Sequence, residues 1–371
     1  MRVLQIINSL GTGGAEKLLL DTIPLYRAQG IEMDILLLWD NDTMFTRELQ
    51  KMNCCKIHII KKSNRIQDIY NPFAIFKIAK LLKQYDLAHV HLFPAQYYVV
   101  FANLWNGRKT KLVFTEHSTY NKRMATPILN ILDRLTYCFY DKIVSISKDV
   151  SLALEKHIPT QKQKIILIEN GVNLEKIEKA SLISKNEIHP NLSDTDFVLC
   201  QVSAFRAGKD QLTLIKSLQY LEEKFKIVLI GDGSESEKEK IIECIKHLKL
   251  ENRVFLLGIK SNIYSIIKSV DINILSSKFE GLSISSIEGM ASGKPFMASN
   301  APGLAEMVKG YGVLFEIGNQ KELAQHIVAL SIDSSYYQSV VSGCKLRAAE
   351  FDSAKMVAQH IQLYKETYGS K

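Results

Sequence analysis

The chain lacks the features that mark secreted, membrane-spanning or metal-held proteins. Its 371 residues include only six cysteines, Cys54, Cys55, Cys138, Cys200, Cys244 and Cys344. They form no C-x-x-C pair and no metal-ligand spacing, which argues against a disulfide scaffold or zinc ribbon and predicts buried thiols in a reducing cytoplasm. No apolar run approaches the length that crosses a bilayer. The start, residues 1–8, has too short an apolar core for a signal peptide. There is no short internal repeat and no low-complexity tract. Residues 181–371 have no net charge, with 22 Lys+Arg against 22 Asp+Glu. Residues 1–180 hold 25 against 17, so the whole excess of +8 lies there. A basic half attracts anionic partners such as phospholipid headgroups, nucleic acid or a diphosphate-bearing substrate, or is simply a solvated surface. Hydrophobic residues at 46% and charged residues at 23% fit a globular protein, and the length favours two domains.

Short apolar runs alternate with longer amphipathic stretches, the pattern of an α/β protein with parallel sheets. Strands are expected at 2–8, 33–39, 57–60, 87–91, 111–115, 142–145 and 165–168. Helices are expected between most of them, for example 15–29 and 72–84. The pattern restarts at 197–203 and continues at 226–230, 254–257, 271–275, 295–299 and 312–315. Glu169-Asn170-Gly171-Val172-Asn173 reads as a strand end and turn, and the polar stretch 184–196 reads as a connection. The expected domains are therefore 1–172 and 190–354.

Four segments carry candidate chemistry. In Phe279-Glu280-Gly281-Leu282-Ser283-Ile284-Ser285-Ser286-Ile287-Glu288-Gly289, Glu280 falls in a strand-to-helix loop. Glu288 falls inside the helix expected over 283–292, with Gly293 and Pro295 as stop signals. Free N–H groups and the positive helix end between them suit a phosphate. The carboxylates suit a ligand rich in hydroxyls, because ionised carboxylates only accept. In Ser203-Ala204-Phe205-Arg206-Ala207-Gly208-Lys209, Arg206 and Lys209 follow a strand end, where open α/β sheets bind ligands; Arg forks onto phosphate and Lys adds a point charge. Gly11-Thr12-Gly13-Gly14-Ala15-Glu16 joins the first strand to a helix, a place for close backbone approach and an anion. A dinucleotide fingerprint would need glycine where Glu16 stands. His117 ends the strand before Ser118, and its imidazole can orient a hydroxyl or share its proton. His89 and His91 share a face of one strand; no acid or thiol spacing beside them supports zinc.

The stretch from Phe279 to Pro295, continuing through Ala301-Pro302-Gly303, resembles the donor-site signature of family 4 retaining glycosyltransferases, and the likeness extends over nearly the whole chain. It implies a GT-B fold, two Rossmann-like domains facing across a cleft, with the C-terminal helix (355–371) packed back on the first. It implies transfer of a sugar from a nucleotide diphosphate sugar to an acceptor hydroxyl, with no cofactor. In that scheme Glu280, Arg206, Lys209 and His117 are catalytic. Gly14, Gly231, Arg206, Lys209, Glu280, Gly281, Leu282, Ser283 and Glu288 bind the donor, and Gly13, His91 and His117 lie on the acceptor side. Gly231-Asp232-Gly233 matches the family's glycine loop, and residues 258–262 the loop that reads the base. Asp40-Asn41-Asp42 and Asp194-Thr195-Asp196 match the metal-holding Asp-x-Asp of the other glycosyltransferase fold, yet read as turn clusters, so no metal is expected. The implied setting is the cytoplasm or, peripherally, the inner face of the cytoplasmic membrane, in bacterial surface polysaccharide or lipid-linked oligosaccharide assembly. The partners are a glycan or lipid-linked acceptor, an anionic membrane surface and no nucleic acid. The alternatives are a catalytically inactive nucleotide-sugar-binding protein and a nucleotide-sugar epimerase on the same fold.

Overall fold

The computed structural model describes residues 1–11, 13–119, 123 and 126–369. It divides into two compact units, Met1–Gly171 with Ser353–Lys371, and Val172–Asp352. The strands of the first are β1 (Arg2–Ile7), β2 (Glu32–Asp40), β3 (Ile57–Lys62), β4 (Leu87–His91), β5 (Lys111–Glu116), β6 (Lys142–Ser145) and β7 (Ile165–Leu167). Those of the second are β8 (Phe197–Val202), β9 (Phe225–Ile230), β10 (Val254–Gly258), β11 (Ile272–Leu275), β12 (Phe296–Ser299) and β13 (Val313–Phe315). Helices connect them, and every pairing is parallel. Sheets covered on both faces need strands that are apolar throughout. That is why β1, β2, β9 and β11 read as near-continuous aliphatic runs and are buried almost end to end.

The sheet orders are β3-β2-β1-β4-β5-β6-β7 and β10-β9-β8-β11-β12-β13. Each winds outward in both directions from its first strand, the doubly wound Rossmann arrangement. Ligands of such sheets sit beyond the carboxyl ends of the strands, where the order reverses. In the second unit that reversal lies between β8 and β11, whose following loops carry Arg206–Lys209 and Glu280.

The C-terminal helix Ser353–Gly369 packs on the helix Gly14–Ala28 of the first unit. The polar stretch 184–196 is not a free connection, and the second unit begins at Val172 rather than near 190. Ser184 caps the short helix Lys185–Ile188 with a full capping box. The Lys185 ammonium lies 2.8 Å from Asp271, and Ile188 and Leu192 are buried. A four-residue helix is too short to show a period, so its apolar anchors hide among polar neighbours. The thiols are free, but they are not uniformly buried: Cys200 and Cys344 are, while Cys138 is exposed.

Candidate active site

Two loops of the second unit converge. The first follows β8. Arg206 precedes a single 3-10 turn, Ala207–Lys209, and Asp210 then adopts φ +47° before the helix Gln211–Ser217. The second follows β11 and leads into the helix Ile284–Ala291. Lys209 and Glu280, 71 residues apart in sequence, meet in an ion pair, and Ser277 Oγ donates to the same carboxylate oxygen at 2.6 Å. The Lys278 N–H donates to the Gly208 carbonyl at 2.8 Å. A buried polar latch sits beneath. Ser276 Oγ donates to Gln201 Oε1 and to the Asp210 carbonyl, both at 2.8 Å, and Gln201 Nε2 donates to the Lys209 carbonyl at 2.9 Å. Buried amides and hydroxyls persist only where they are paired. This latch therefore fixes the separation of the two loops.

A third segment supports Glu280 from behind. Its N–H donates to the Pro302 carbonyl at 2.9 Å, and Ser299 Oγ donates to the Ser277 carbonyl. Gly303 has φ +79°, and a Cβ there would lie 2.1 Å from the Glu280 carbonyl oxygen. Only glycine fits such a conformation at such an approach. Gly231, with φ +143°, stands in the same relation to the Ser203 carbonyl at 2.0 Å, so it sets how closely the loop after β9 approaches the one after β8.

Ser283 caps the helix by accepting from Ser286 N–H at 3.3 Å. The N–H groups of Gly281, Leu282, Ser283, Ile284 and Ser285 have no acceptor among the described residues. Five successive free donors at a helix start, with a helix dipole behind them, form an anion cradle. Arg206 is exposed and has no ion pair among the described residues. Lys209 spends one of its three N–H bonds on Glu280. Glu288 sits one turn into the helix, 5% exposed, where Tyr264 Oη donates to Oε1 at 3.0 Å. Tyr264 also lines a surface hollow of about 500 Å³ with Asn173, Lys176, Ser261 and Asn262, next to the loop after β10. Tyr264 and Gly303 carry no role in the sequence reading. Neither a lone tyrosine before a strand nor one glycine in a loop announces its partner.

In the first unit, Gly13 is the N-cap of the helix that Gly14 begins, with extended backbone. Thr12 lies outside the described residues. The Glu16 carboxylate folds back over this turn, 2.4 Å from where a Gly13 Cβ would stand. The positive end of this helix thus already faces a carboxylate of its own chain, unlike the helix after Ser283. His117 follows β5 and is half-buried, and burial pushes its pKa down to about 4. Its Nε2 lies 3.0 Å from His91 Nδ1, and its Nδ1 has no partner among the described residues. His91 is 3% exposed and its other nitrogen lies 2.8 Å from Gln5 Oε1, so it reaches a ligand only through His117. Beside His117, the buried Glu116 accepts from Tyr137 Oη at 2.9 Å and pairs with Arg123 at 3.4 Å; Arg123 Nε also lies 3.0 Å from buried Asp133. Burial raises the Glu116 pKa, with Arg123 and Tyr137 opposing the rise. The Asp-x-Asp pairs are turn elements. Asp40 accepts from Thr46 Oγ1 at 2.8 Å and Asp42 N–H at 3.1 Å, and Asp196 accepts from Ser193 N–H at 2.8 Å.

Comparison with known proteins fits this geometry. Residues 12–176 match the model of Glycosyltransferase Family 4, and residues 184–343 match that of Glycosyl transferases group 1. The chain belongs to the family 4 glycosyltransferases and has their GT-B fold of two Rossmann-like units. Over 365 residues it is 26% identical to a Campylobacter jejuni N-acetylgalactosamine-N,N'-diacetylbacillosaminyl-diphospho-undecaprenol 4-alpha-N-acetylgalactosaminyltransferase, covering 94% of this chain and 95% of that protein. It is 25% identical to the N-acetyl-alpha-D-glucosaminyl L-malate synthase of Bacillus anthracis, over 80% of each chain. The structure of Anabaena HepE in complex with UDP-glucose superposes with a TM-score of 0.86 at 22% identity, over 99% of this chain and 100% of that one.

Proposed function

We propose that this glycosyltransferase moves a sugar from a nucleotide diphosphate sugar to a hydroxyl of a lipid-diphosphate-linked glycan, with retention of anomeric configuration and without a metal ion. The observation that carries the donor half of the reading is the run of five free N–H groups from Gly281 to Ser285, flanked by Glu280 and Glu288 and faced by the 206–209 loop. The diphosphate sits on those N–H groups and on Arg206. Lys209, held by Glu280, turns its remaining N–H bonds to the same anion. Negative charge grows on the diphosphate as the glycosidic bond breaks, and preorganised donors stabilise it without rearranging; they supply what a divalent ion would otherwise supply. Glu288 accepts from the ribose hydroxyls, with its carboxylate oriented by Tyr264. The base takes the hollow beside Ser261 and Asn262. Glu280 accepts from hydroxyls of the sugar. The acceptor hydroxyl attacks from the face the leaving group departs, and His117 is the acceptor-side histidine of this reading.

The names of the relatives support a lipid-linked acceptor, since two Campylobacter proteins and one from Escherichia coli act on diphospho-undecaprenol sugars. None of the described helices is long and apolar enough to cross a membrane. The first unit carries exposed Phe73, Phe76, Phe101 and Trp105 on the neighbouring helices Ala74–Leu82 and Ala95–Trp105 or just before the first of them, with the Phe76 and Trp105 rings 5.5 Å apart. Exposed Lys77, Lys80 and Lys83 lie alongside. Aromatic residues beside lysines suit the boundary of an anionic bilayer. The test is incubation with a panel of nucleotide sugars and an undecaprenyl-diphosphate glycan in anionic vesicles. The expected result is one donor consumed, a product with the donor's anomeric configuration, turnover insensitive to chelator, and vesicle binding that weakens as salt rises. Donor binding with neither transfer nor hydrolysis would favour the inactive-binder alternative, and sugar interconversion with no transfer to any glycan acceptor would favour the epimerase.

A further inference from the structure

A buried chain of polar groups runs behind His117 and ends in the C-terminal helix. His117 Nε2 lies 3.0 Å from His91 Nδ1, and His91 Nε2 lies 2.8 Å from Gln5 Oε1. Gln5 Nε2 lies 3.3 Å from Tyr364 Oη and 3.6 Å from Met33 Sδ. Tyr364 Oη lies 2.6 Å from His89 Nδ1, and His89 Nε2 lies 2.6 Å from Thr115 Oγ1. Burial holds His89, His91 and His117 well below the ordinary histidine pKa, so all three are neutral near pH 7.

A neutral imidazole has one N–H, so a ring bonded through both nitrogens donates from one and accepts at the other. Histidines and hydroxyls in such a chain can reverse direction by shifting protons. Gln5 cannot, because its oxygen only accepts and its nitrogen only donates. With its oxygen toward His91, His91 must donate from Nε2 and accept at Nδ1. His117 must then donate from Nε2. On the other side, the Tyr364 oxygen accepts from Gln5 Nε2 and is hydrogen-bonded to His89 Nδ1, whose ring reaches Thr115 Oγ1 through Nε2. The bonds from His117 through His91 and Gln5 to Tyr364 therefore run one way. Turning the amide over would set its oxygen against the Met33 sulfur, which has no proton to give, in place of the N–H that now faces it, so the NH₂ stays on the Met33 and Tyr364 side of this buried residue.

We propose that Gln5 and Tyr364 are positioning residues that hold His117 with its proton on Nε2 and a bare lone pair on Nδ1, so that the ring accepts a hydrogen bond from a substrate hydroxyl instead of donating one. Gln5 of the first strand and Tyr364 of the last helix, 359 residues apart in sequence, thus meet in one chain of hydrogen bonds. The link to catalysis rests on the role assigned to His117 above; the tautomer does not.

The test is ¹⁵N–¹H long-range correlation NMR on the histidine-labelled full chain, read beside steady-state kinetics. In the wild type, His117 Nδ1 should resonate as a non-protonated nitrogen and Nε2 as a protonated one. Gln5→Met should mix the two tautomers of His91 and His117 and lower kcat roughly tenfold or more, with donor KM within about twofold, as expected for loss of acid–base positioning. Gln5→Glu, whose carboxylate also accepts from His91, should restore the wild-type His117 pattern and most of the kcat. Tyr364→Phe keeps the packing volume and should shift the His89 resonances and lower kcat in the same sense, which carries the test if Gln5→Met does not fold. A proton on Nδ1 of wild-type His117, or an unchanged His117 pattern in folded Gln5→Met, overturns the proposal. If the tautomer is as stated but no sugar transfer occurs with any donor, the functional reading fails instead.

Discussion

Arg206→Ala should lower turnover by roughly two to three orders of magnitude, the usual cost of removing one preorganised donor from a developing anion. Donor KM should change by no more than a few-fold. The reason lies in how charge is distributed at the site. Lys209 is neutralised by Glu280, and the N–H cradle supplies only partial charges. Two cations of these loops, Arg206 and Lys278, have no carboxylate partner among the described residues, and only Arg206 has the fork that fits a phosphate, so on the proposed donor site the growing charge on the leaving diphosphate should fall chiefly on it. Its exposure also makes the test clean. A surface side chain with no such partner contributes little to stability, so the melting temperature should stay within about a degree by the same argument. Arg206→Lys should recover part of the loss, because a point charge replaces the fork without its geometry. Wild-type kcat in Arg206→Ala, measured by single-turnover transfer, would remove Arg206 from the mechanism.

The second large effect is on binding. Glu288→Ala should raise donor KM about ten- to a hundredfold, since hydrogen bonds to a charged group are worth roughly 1.5–3 kcal/mol and each 1.4 kcal/mol is tenfold. Free UDP should weaken by the same factor, because the contact is to the ribose and is equally present before and at the transition state. Once donor is saturating, kcat should be nearly unchanged. Tyr264→Phe should move KM in the same direction by less, since it leaves the carboxylate in place and removes only the hydroxyl that orients it. Calorimetric titration of UDP into both variants checks this. Equal affinity in Glu288→Ala and wild type would place the ribose elsewhere.

Much of the fold was legible in the sequence for one physical reason. Strands buried on both faces must be largely apolar, so β1, β2, β9 and β11 appear as near-continuous aliphatic runs broken by single polar residues such as Gln5 and Asn273. Part of the proposed donor site stands out in the sequence because it occupies a short span: Glu280, the Ser283 cap and Glu288 lie within nine residues. What was hidden is whatever folding joins across distance. The pairing of Lys209 with Glu280, the latch through Gln201 and Ser276, and the close approach of Gly303 to the Glu280 carbonyl have no local signature. The same holds for the chain behind His117. His89 and His91 show themselves as polar residues in a buried strand, but their partners Gln5 and Tyr364 come from the two ends of the chain. The turn at Gly13 and Gly14 is the reverse case. Its sequence suits an anion, whereas the structure turns the Glu16 carboxylate toward that helix start.

The central claim is that the second unit holds the donor's diphosphate on the N–H groups of Gly281–Ser285. The most direct measurement is a crystal structure of the protein grown with UDP or its nucleotide sugar. The account predicts diphosphate oxygens within hydrogen-bond distance of those N–H groups and of Arg206, with the ribose hydroxyls on Glu288. A nucleotide seated instead on the Gly13–Gly14 turn of the first unit, with the Gly281–Ser285 N–H groups facing only solvent, would contradict it.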